Sequence, residues 1–192
     1  MRLVIIDYGA GNIQSIKFAF QRLGVEAMLS NDREIIENAD KIIFPGVGEA
    51  SSAMTKLRES GLQDVIPTLK QPVLGICLGM QLMCNSSDEG KTKGLGIFDI
   101  DVVKFNAGLK VPQIGWNKIE NLKGDLFNGL ENDFVYLVHS YYAPNAKETI
   151  ATCSYGLKYS AALQSANFYG VQFHPEKSGN YGSIMLKNFL NL

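Results

Sequence analysis

Two histidines and three cysteines are all that the 192 residues supply. The cysteines, Cys77, Cys84 and Cys153, are odd in number and far apart, which argues against a disulfide framework and makes a reducing, cytoplasmic setting the expectation. No pair of Cys or His has zinc-finger spacing, so no metal site is expected. An excess of charge is also missing: 18 Lys and Arg face 19 Asp and Glu, for a net charge of −1. That balance gives no general attraction to nucleic acid or to an acidic membrane. Apolar runs such as Leu3–Ile6 stop far short of a bilayer span. The chain enters a strand-like run at once, which speaks against a secretory signal peptide. The sequence shows no repeat, low-complexity segment or interdomain linker. What it does have is 46% apolar and 19% charged residues, the profile of a compact protein long enough to bury its own core.

The first half alternates strand and helix patterns. Leu3–Ile6 is a continuous apolar run, as expected of a parallel strand buried on both faces. Ile13, Ile16, Phe20 and Leu23 then fall on one helical face, with Gly24 as the stop. Ala27–Leu29 and Lys41–Phe44 read as further strands, with a short helix over 32–39 between them. Ala50, Ala53, Met54 and Leu57 mark a helix, and Leu62–Leu69 another. Pro72–Ile76 is a strand running into Cys77; residues 78–84 read as helix, and the polar, glycine-rich Asn85–Gly96 as loop. The second half has short segments rich in Val, Ile, Phe and Tyr near 97–105, 111–119, 134–142, 149–154, 160–165 and 168–173. Ser165-Ala166-Asn167 reads as a hairpin connection, and Ser183–Leu190 as a last helix with Ile184, Leu186 or Lys187, and Leu190 one turn apart. The expected fold is α/β: a central, mostly parallel sheet flanked by helices, with additional strands in the second half and one domain over 1–192.

Three segments carry chemistry. Gly75-Ile76-Cys77-Leu78-Gly79 has the small-x-nucleophile-x-small form of a nucleophile elbow, with Cys in place of Ser. The glycines permit a sharp strand-to-helix turn, and the helix start favours a thiolate. The Leu78 N–H is a candidate donor to an oxyanion. The plainer reading is a core cysteine between chance glycines. Val171–Glu176 ends a strand in His-Pro-Glu; residues two apart point to one side, so His174 and Glu176 can act together. There His174 would move the thiol proton and Glu176 would hold the imidazole. The plainer reading is a strand-end histidine satisfied by a carboxylate. Pro45-Gly46-Val47-Gly48 follows a strand and frees backbone amides to face an oxyanion; without a Lys-Ser/Thr ending it is no P-loop.

Together these segments resemble the class I, triad-type glutamine amidotransferases. Pro-Gly-Val-Gly, Gly-Ile-Cys-Leu-Gly-Met-Gln and His-Pro-Glu occur in that family's order and spacing. Asp7-Tyr8-Gly9-Ala10-Gly11-Asn12, Pro112-Gln113-Ile114-Gly115-Trp116-Asn117, His139-Ser140-Tyr141 and Phe173–Ser178 are similar to the glutaminase subunits of imidazole glycerol phosphate synthases, over essentially the whole chain.

The resemblance implies a Cys77–His174–Glu176 triad that hydrolyses L-glutamine, with oxyanion donors at Val47, Gly48 and Leu78. A reorientation of the Gly46–Val47 peptide would complete that donor set. It implies that Gly48, Gln81, Glu89, Ser140 and Tyr141 hold the amino-acid end of glutamine, Glu89 facing the ammonium. Trp116, Asn117 and Lys177 fall at the surface for a (β/α)₈-barrel cyclase in a heterodimer. That cyclase would use ammonia to make imidazole glycerol phosphate and aminoimidazole carboxamide ribotide in histidine biosynthesis. No cofactor is implied.

Plainer readings stand beside these: Glu89 as a solvated loop residue, Trp116 as core, Lys177 as a solvated cation. Cys84 and Cys153 read as core, and His139 yields the base role to His174. The alternative functions are a subunit of a sugar, anthranilate or nucleotide synthase, a stand-alone cysteine hydrolase, and a scaffold without catalysis. Intact Cys, His and Glu argue against the last, and Leu78 after Cys77 against related intracellular proteases, which commonly have His there.

Overall fold

The structure is a computed structural model and describes residues 1–106 and 108–192. Its centre is a nine-stranded sheet built from both halves of the chain. The first half supplies β1 (Leu3–Ile6), β2 (Ala27–Ser30), β3 (Lys41–Phe44) and β4 (Val73–Ile76). Four further strands follow: β5 (Cys84–Ser87), β6 (Thr92–Lys93), β7 (Phe98–Lys104) and β8 (Gln113–Glu120). After β9 (Phe134–His139) and β10 (Tyr141–Tyr142) come β11 (Thr149–Tyr155), β12 (Leu157–Ser165) and β13 (Phe168–Val171). The large sheet runs β2-β1-β3-β4-β13-β12-β11-β8-β9, and a four-stranded sheet runs β10-β7-β5-β6. From β2 to β13 neighbours are parallel; from β13 to β9 they are antiparallel.

Helices cover both faces, which explains the unbroken apolar runs. In β1 every residue is buried, yet Leu3 and Ile5 pack to one side and Val4 and Ile6 to the other. The first side meets α1 (Ile13–Arg22) through Ile16, Ala19 and Phe20. The second meets α2 (Arg33–Glu37), α3 (Ala50–Glu59) and α4 (Leu62–Val65) through Ile36, Met54, Leu57 and Leu62. Burying each such side chain contributes about 1.5–3 kcal/mol. The Asp32 carboxylate accepts from the Ile35 N–H at 3.0 Å and starts α2, while Gly24, at φ +76°, lets the chain leave α1.

The short helix α5 (Leu78–Leu82) lies unusually close to the sheet. A Cβ on Gly79 would come within 2.0 Å of the Phe44 carbonyl oxygen, and one on Gly75 within 2.8 Å of the Met80 backbone nitrogen. The two glycines beside Cys77 are therefore demanded by packing. The last helix, α6 (Gly179–Asn191), returns to the α1 side.

The expected elements are present, with three corrections. Residues 85–96 are not simply loop: β5 and β6 occupy part of the segment, because Ser86 and Ser87 pair with both Lys93-Thr92 and β7. For the same reason the helix after Cys77 ends at Leu82, and Cys84 opens a strand. The final helix buries Tyr181, Met185, Leu186 and Phe189, not the Ile184–Leu190 stripe; Ile184 and Leu190 are half-buried and Lys187 is exposed. Ala166 and Asn167 make the two-residue turn of the β12–β13 hairpin, Ala166 at φ +50°.

Candidate active site

The strand order brings the distant motifs together. β13 inserts beside β4 in parallel register, with Val171 opposite Ile76. The chain leaving β13 therefore delivers His174 to the end of the strand that delivers Cys77. The Cys77 N–H donates to the Val171 carbonyl at 2.8 Å and seals the two strand ends. Cys77 itself turns at φ +54° and ψ −111°, a left-handed position costly for a residue with a Cβ. That turn lifts the sulfur from the strand line, and the next residue, Leu78, begins α5.

His174 is buried against Cys77, and its Nδ1 lies 2.9 Å from Glu176 Oε1. Burial alone would push the imidazole down. Hydrogen bonds with Cys77 and Glu176, and the charges of both, outweigh it and raise the group to about 10. The main chain fixes the ring's base: the His174 N–H donates to the Tyr136 carbonyl at 2.9 Å, and Ser178 Oγ donates to the His174 carbonyl at 2.7 Å.

A cavity of about 310 Å³ opens beside this pair. Val47, Gly48 and Leu78 line it with Cys77 and His174, as do Gln81, Glu89, Ser140, Tyr141 and Lys177. Glu176 lies behind His174 and does not line it. Glu89 is only half-buried and accepts the N–H of Ala50, at the start of α3, at 2.9 Å. Burial raises its carboxyl, and the Ala50 N–H offsets part of that rise.

The second histidine touches the same cavity but turns both nitrogens to the protein. His139 Nδ1 is 2.7 Å from the Tyr141 carbonyl and Nε2 is 3.2 Å from the Tyr159 hydroxyl. The carbonyl can only accept, so Nδ1 carries the proton. Burial, helped by the charge of His174, lowers this imidazole to about 4 despite the hydrogen bond to the Tyr141 carbonyl.

Trp116 and Asn117 lie outside the cavity on β8. Trp116 is 53% exposed and meets the Tyr136 ring edge-on at 6.0 Å, and Lys177 Nζ sits 5.7 Å from the centre of that ring. Exposed Ile114 and Phe134 extend the apolar face of the β8–β9 pair. It borders the cavity mouth through Val138 and Lys177.

Two residues that the motifs contained were not singled out from sequence. Tyr8 donates to the Pro45 carbonyl, and Gln172 sits between Gln81 and Cys77. A signal existed for Gln172: it is polar inside an apolar run and two residues from His174, hence on the same side of an extended chain.

Residues 4–192 match the family described as Glutamine amidotransferase class-I. The chain is 55% identical to the imidazole glycerol phosphate synthase subunit HisH of Bacteroides fragilis, covering 100% of both chains. It is 48% identical to the subunit of that name from Escherichia coli, again over 100% of both. To that from Haemophilus influenzae it is 46% identical, over 99% of this chain and 97% of the relative. In fold it is similar to a putative GMP synthase subunit from Thermoplasma acidophilum, with a TM-score of 0.77 at 22% identity over 100% and 92% of the two chains.

Proposed function

This chain belongs to the class-I glutamine amidotransferases and, within them, to the HisH subunits of imidazole glycerol phosphate synthase, and from that premise we propose how its residues divide the work. The chain is a glutaminase subunit that supplies ammonia for histidine biosynthesis, with residues 1–192 acting as one domain in the cytoplasm. The observation that carries the assignment of its residues is the Cys77–His174–Glu176 alignment, with His174 bonded to Glu176 at 2.9 Å and against Cys77. Among the described residues, no helix is long and apolar enough to cross a membrane.

In the proposed reaction, the Cys77 sulfur attacks the side-chain amide carbon of glutamine. Charge collects on the amide oxygen, where the N–H groups of Leu78 and of Val47 or Gly48 receive it. His174 gives its proton to the nitrogen, the C–N bond breaks, and ammonia leaves a glutamyl thioester. Water then attacks that carbon, His174 takes its proton, and the C–S bond breaks to return the thiolate and glutamate. Glu176 orients the ring throughout and stabilises the imidazolium. Gln81, Glu89, Ser140, Tyr141 and Gly48 hold the amino-acid end, Glu89 opposing the substrate ammonium.

The ammonia serves a (β/α)₈-barrel cyclase that docks as a heterodimer and releases imidazole glycerol phosphate and aminoimidazole carboxamide ribotide. The face of exposed Ile114, Trp116 and Phe134 and half-buried Tyr136 borders the cavity mouth, so a partner seated there also shields the exit. The test measures glutamate release by the chain with its cyclase, alongside a Cys77→Ala complex. The variant loses glutamine-dependent turnover yet still works with added ammonium. A wild-type complex that releases no glutamate overturns the reading.

A further inference from the structure

Gln172 is fully buried, just past β13, and its main-chain N–H is taken by the Ala161 carbonyl at 2.9 Å. Its side-chain oxygen accepts from Gln81 Nε2 at 2.7 Å, and its Nε2 donates to Cys77 Sγ at 3.7 Å. Gln81 Nε2 also donates to the Tyr141 carbonyl at 2.9 Å. These contacts fix which way each amide points. A main-chain carbonyl only accepts, so Gln81 must present its NH₂ group to Tyr141. Its two N–H bonds are then spent on Tyr141 and Gln172, and its oxygen is left as an acceptor beside the cavity. Gln172, with its own oxygen engaged by Gln81, has only its NH₂ to offer the sulfur. One backbone carbonyl thus sets a chain of polarity that ends in a donor at Cys77.

We propose that Gln172 is a further catalytic residue: its amide donates to the Cys77 thiolate and, through Gln81, couples the nucleophile to the residue that grips glutamine. The proposal rests on Cys77 as the nucleophile. A donor at sulfur acts where sulfur carries charge. It holds the thiolate before attack, and it receives the electron pair when the thioester C–S bond breaks and the thiolate returns. The thioester sulfur is a poor acceptor, so the donor favours the steps that regenerate the enzyme. The link to Gln81 is a second role, because without it the Gln81 oxygen is no longer aimed.

Two substitutions in the complete heterodimer separate these roles. Gln172→Met keeps the length and removes both donor and acceptor. Gln172→Glu keeps an oxygen for Gln81 and puts a carboxylate where the donor was. Alkylation of Cys77 by iodoacetamide, followed by mass spectrometry from pH 5 to 10, reads the thiolate directly. We expect Gln172→Met to react about tenfold more slowly at neutral pH, its profile moved up by roughly one pH unit, as losing a hydrogen bond to a charged group implies. Gln172→Glu should move the profile at least as far. The KM for glutamine should rise several-fold in Gln172→Met and stay near wild type in Gln172→Glu. A wild-type alkylation profile in Gln172→Met overturns the donor role, and an unchanged KM there overturns the link to Gln81. A complex whose glutaminase survives Cys77→Ala would instead sink the reading beneath the proposal.

Discussion

Tyr8 donates its phenolic hydroxyl to the carbonyl oxygen of Pro45 at 2.8 Å, tying the N-terminal motif to the first residue of the glycine-bearing segment after β3. Burial, then the charge of Cys77, pushes the phenol up, so it remains a neutral donor. Gly11 closes on the Pro45 ring so tightly that a Cβ would come within 2.9 Å of it. Gly46 is pressed against α5, where a Cβ would come within 2.5 Å of the Gly79 nitrogen. Past that point the constraint ends: Val47 is exposed, and Gly48, at φ +96°, has open space around it. Two of the proposed oxyanion donors, Val47 and Gly48, lie on the unconstrained side, while Leu78 is fixed at the start of α5. A flip there can be biased by a docked partner and its ligand, and losing one such donor costs about 100- to 1,000-fold in turnover. Glutamate release should therefore rise by orders of magnitude only with cyclase and its ligand both present. Tyr8→Phe should shrink that activation ratio and leave ammonium-dependent turnover intact. An unchanged ratio would show that the clamp does not matter.

Cys77 should be the only reactive thiol. All three cysteines are free and buried, but only Cys77 lines the cavity. Burial pushes both Cys84 and Cys153 up, away from the reactive thiolate. An electrophilic glutamine analogue should label Cys77 alone, as read by peptide mass spectrometry. Equal labelling of the three would remove the elbow argument.

The triad should be graded. Cys77→Ala and His174→Ala remove the proposed nucleophile and proton carrier and should nearly abolish glutaminase. Glu176→Ala removes orientation only and should retain measurable turnover. Steady-state kinetics on folded variants decide; a Glu176→Ala enzyme as inert as Cys77→Ala would contradict the division of roles.

The two histidines should titrate at opposite extremes. His174 should keep its proton until about pH 10, and His139 should stay neutral down to about 4. With two imidazoles in the chain, NMR separates them directly. The buried neutral His139 also has a stability consequence. Its folded value lies below its unfolded one, so the unfolded chain binds the proton first and stability falls as pH drops from about 6.5 towards 4. The loss reaches roughly 3 kcal/mol at the acid end. His139→Gln should flatten that acid limb in denaturant titrations.

Partner binding should depend on the rim. Trp116→Ala removes an exposed aromatic of the kind that anchors interfaces, and should weaken the heterodimer about tenfold or more by calorimetry. Lys177→Ala should reduce activation of glutaminase by the partner more than it lowers the melting temperature. If both variants associate and activate normally, the partner sits elsewhere.

Much of this was legible in the residues. The buried parallel strands announced themselves because both faces are covered, so β1 and β4 carry no polar residue and β3 only Lys41 at its start. Cys77, His174 and Glu176 were legible because a turn and a strand end impose spacing. Ser86 and Ser87 gave no such cue: β5 is short and polar, and its pairing with β7 is a tertiary fact. The last helix was misphased because its buried face includes Tyr181 and Phe189, large residues that an aliphatic count passes over. Gln172 stayed hidden since its side-chain partners, Gln81 on α5 and Cys77 at the turn before it, are remote in sequence.

The insertion of the last strand between β4 and β12 also governs when the site can exist during synthesis. A nascent chain that has emerged only through β12 holds its cysteine beside an open sheet edge and has no base. Docking of β13 closes the gap and brings in His174, which follows it closely in the chain. A chain without that strand has no base for its cysteine and leaves β4 and β12 with unpaired edges, so the sheet and the site are completed by the same segment.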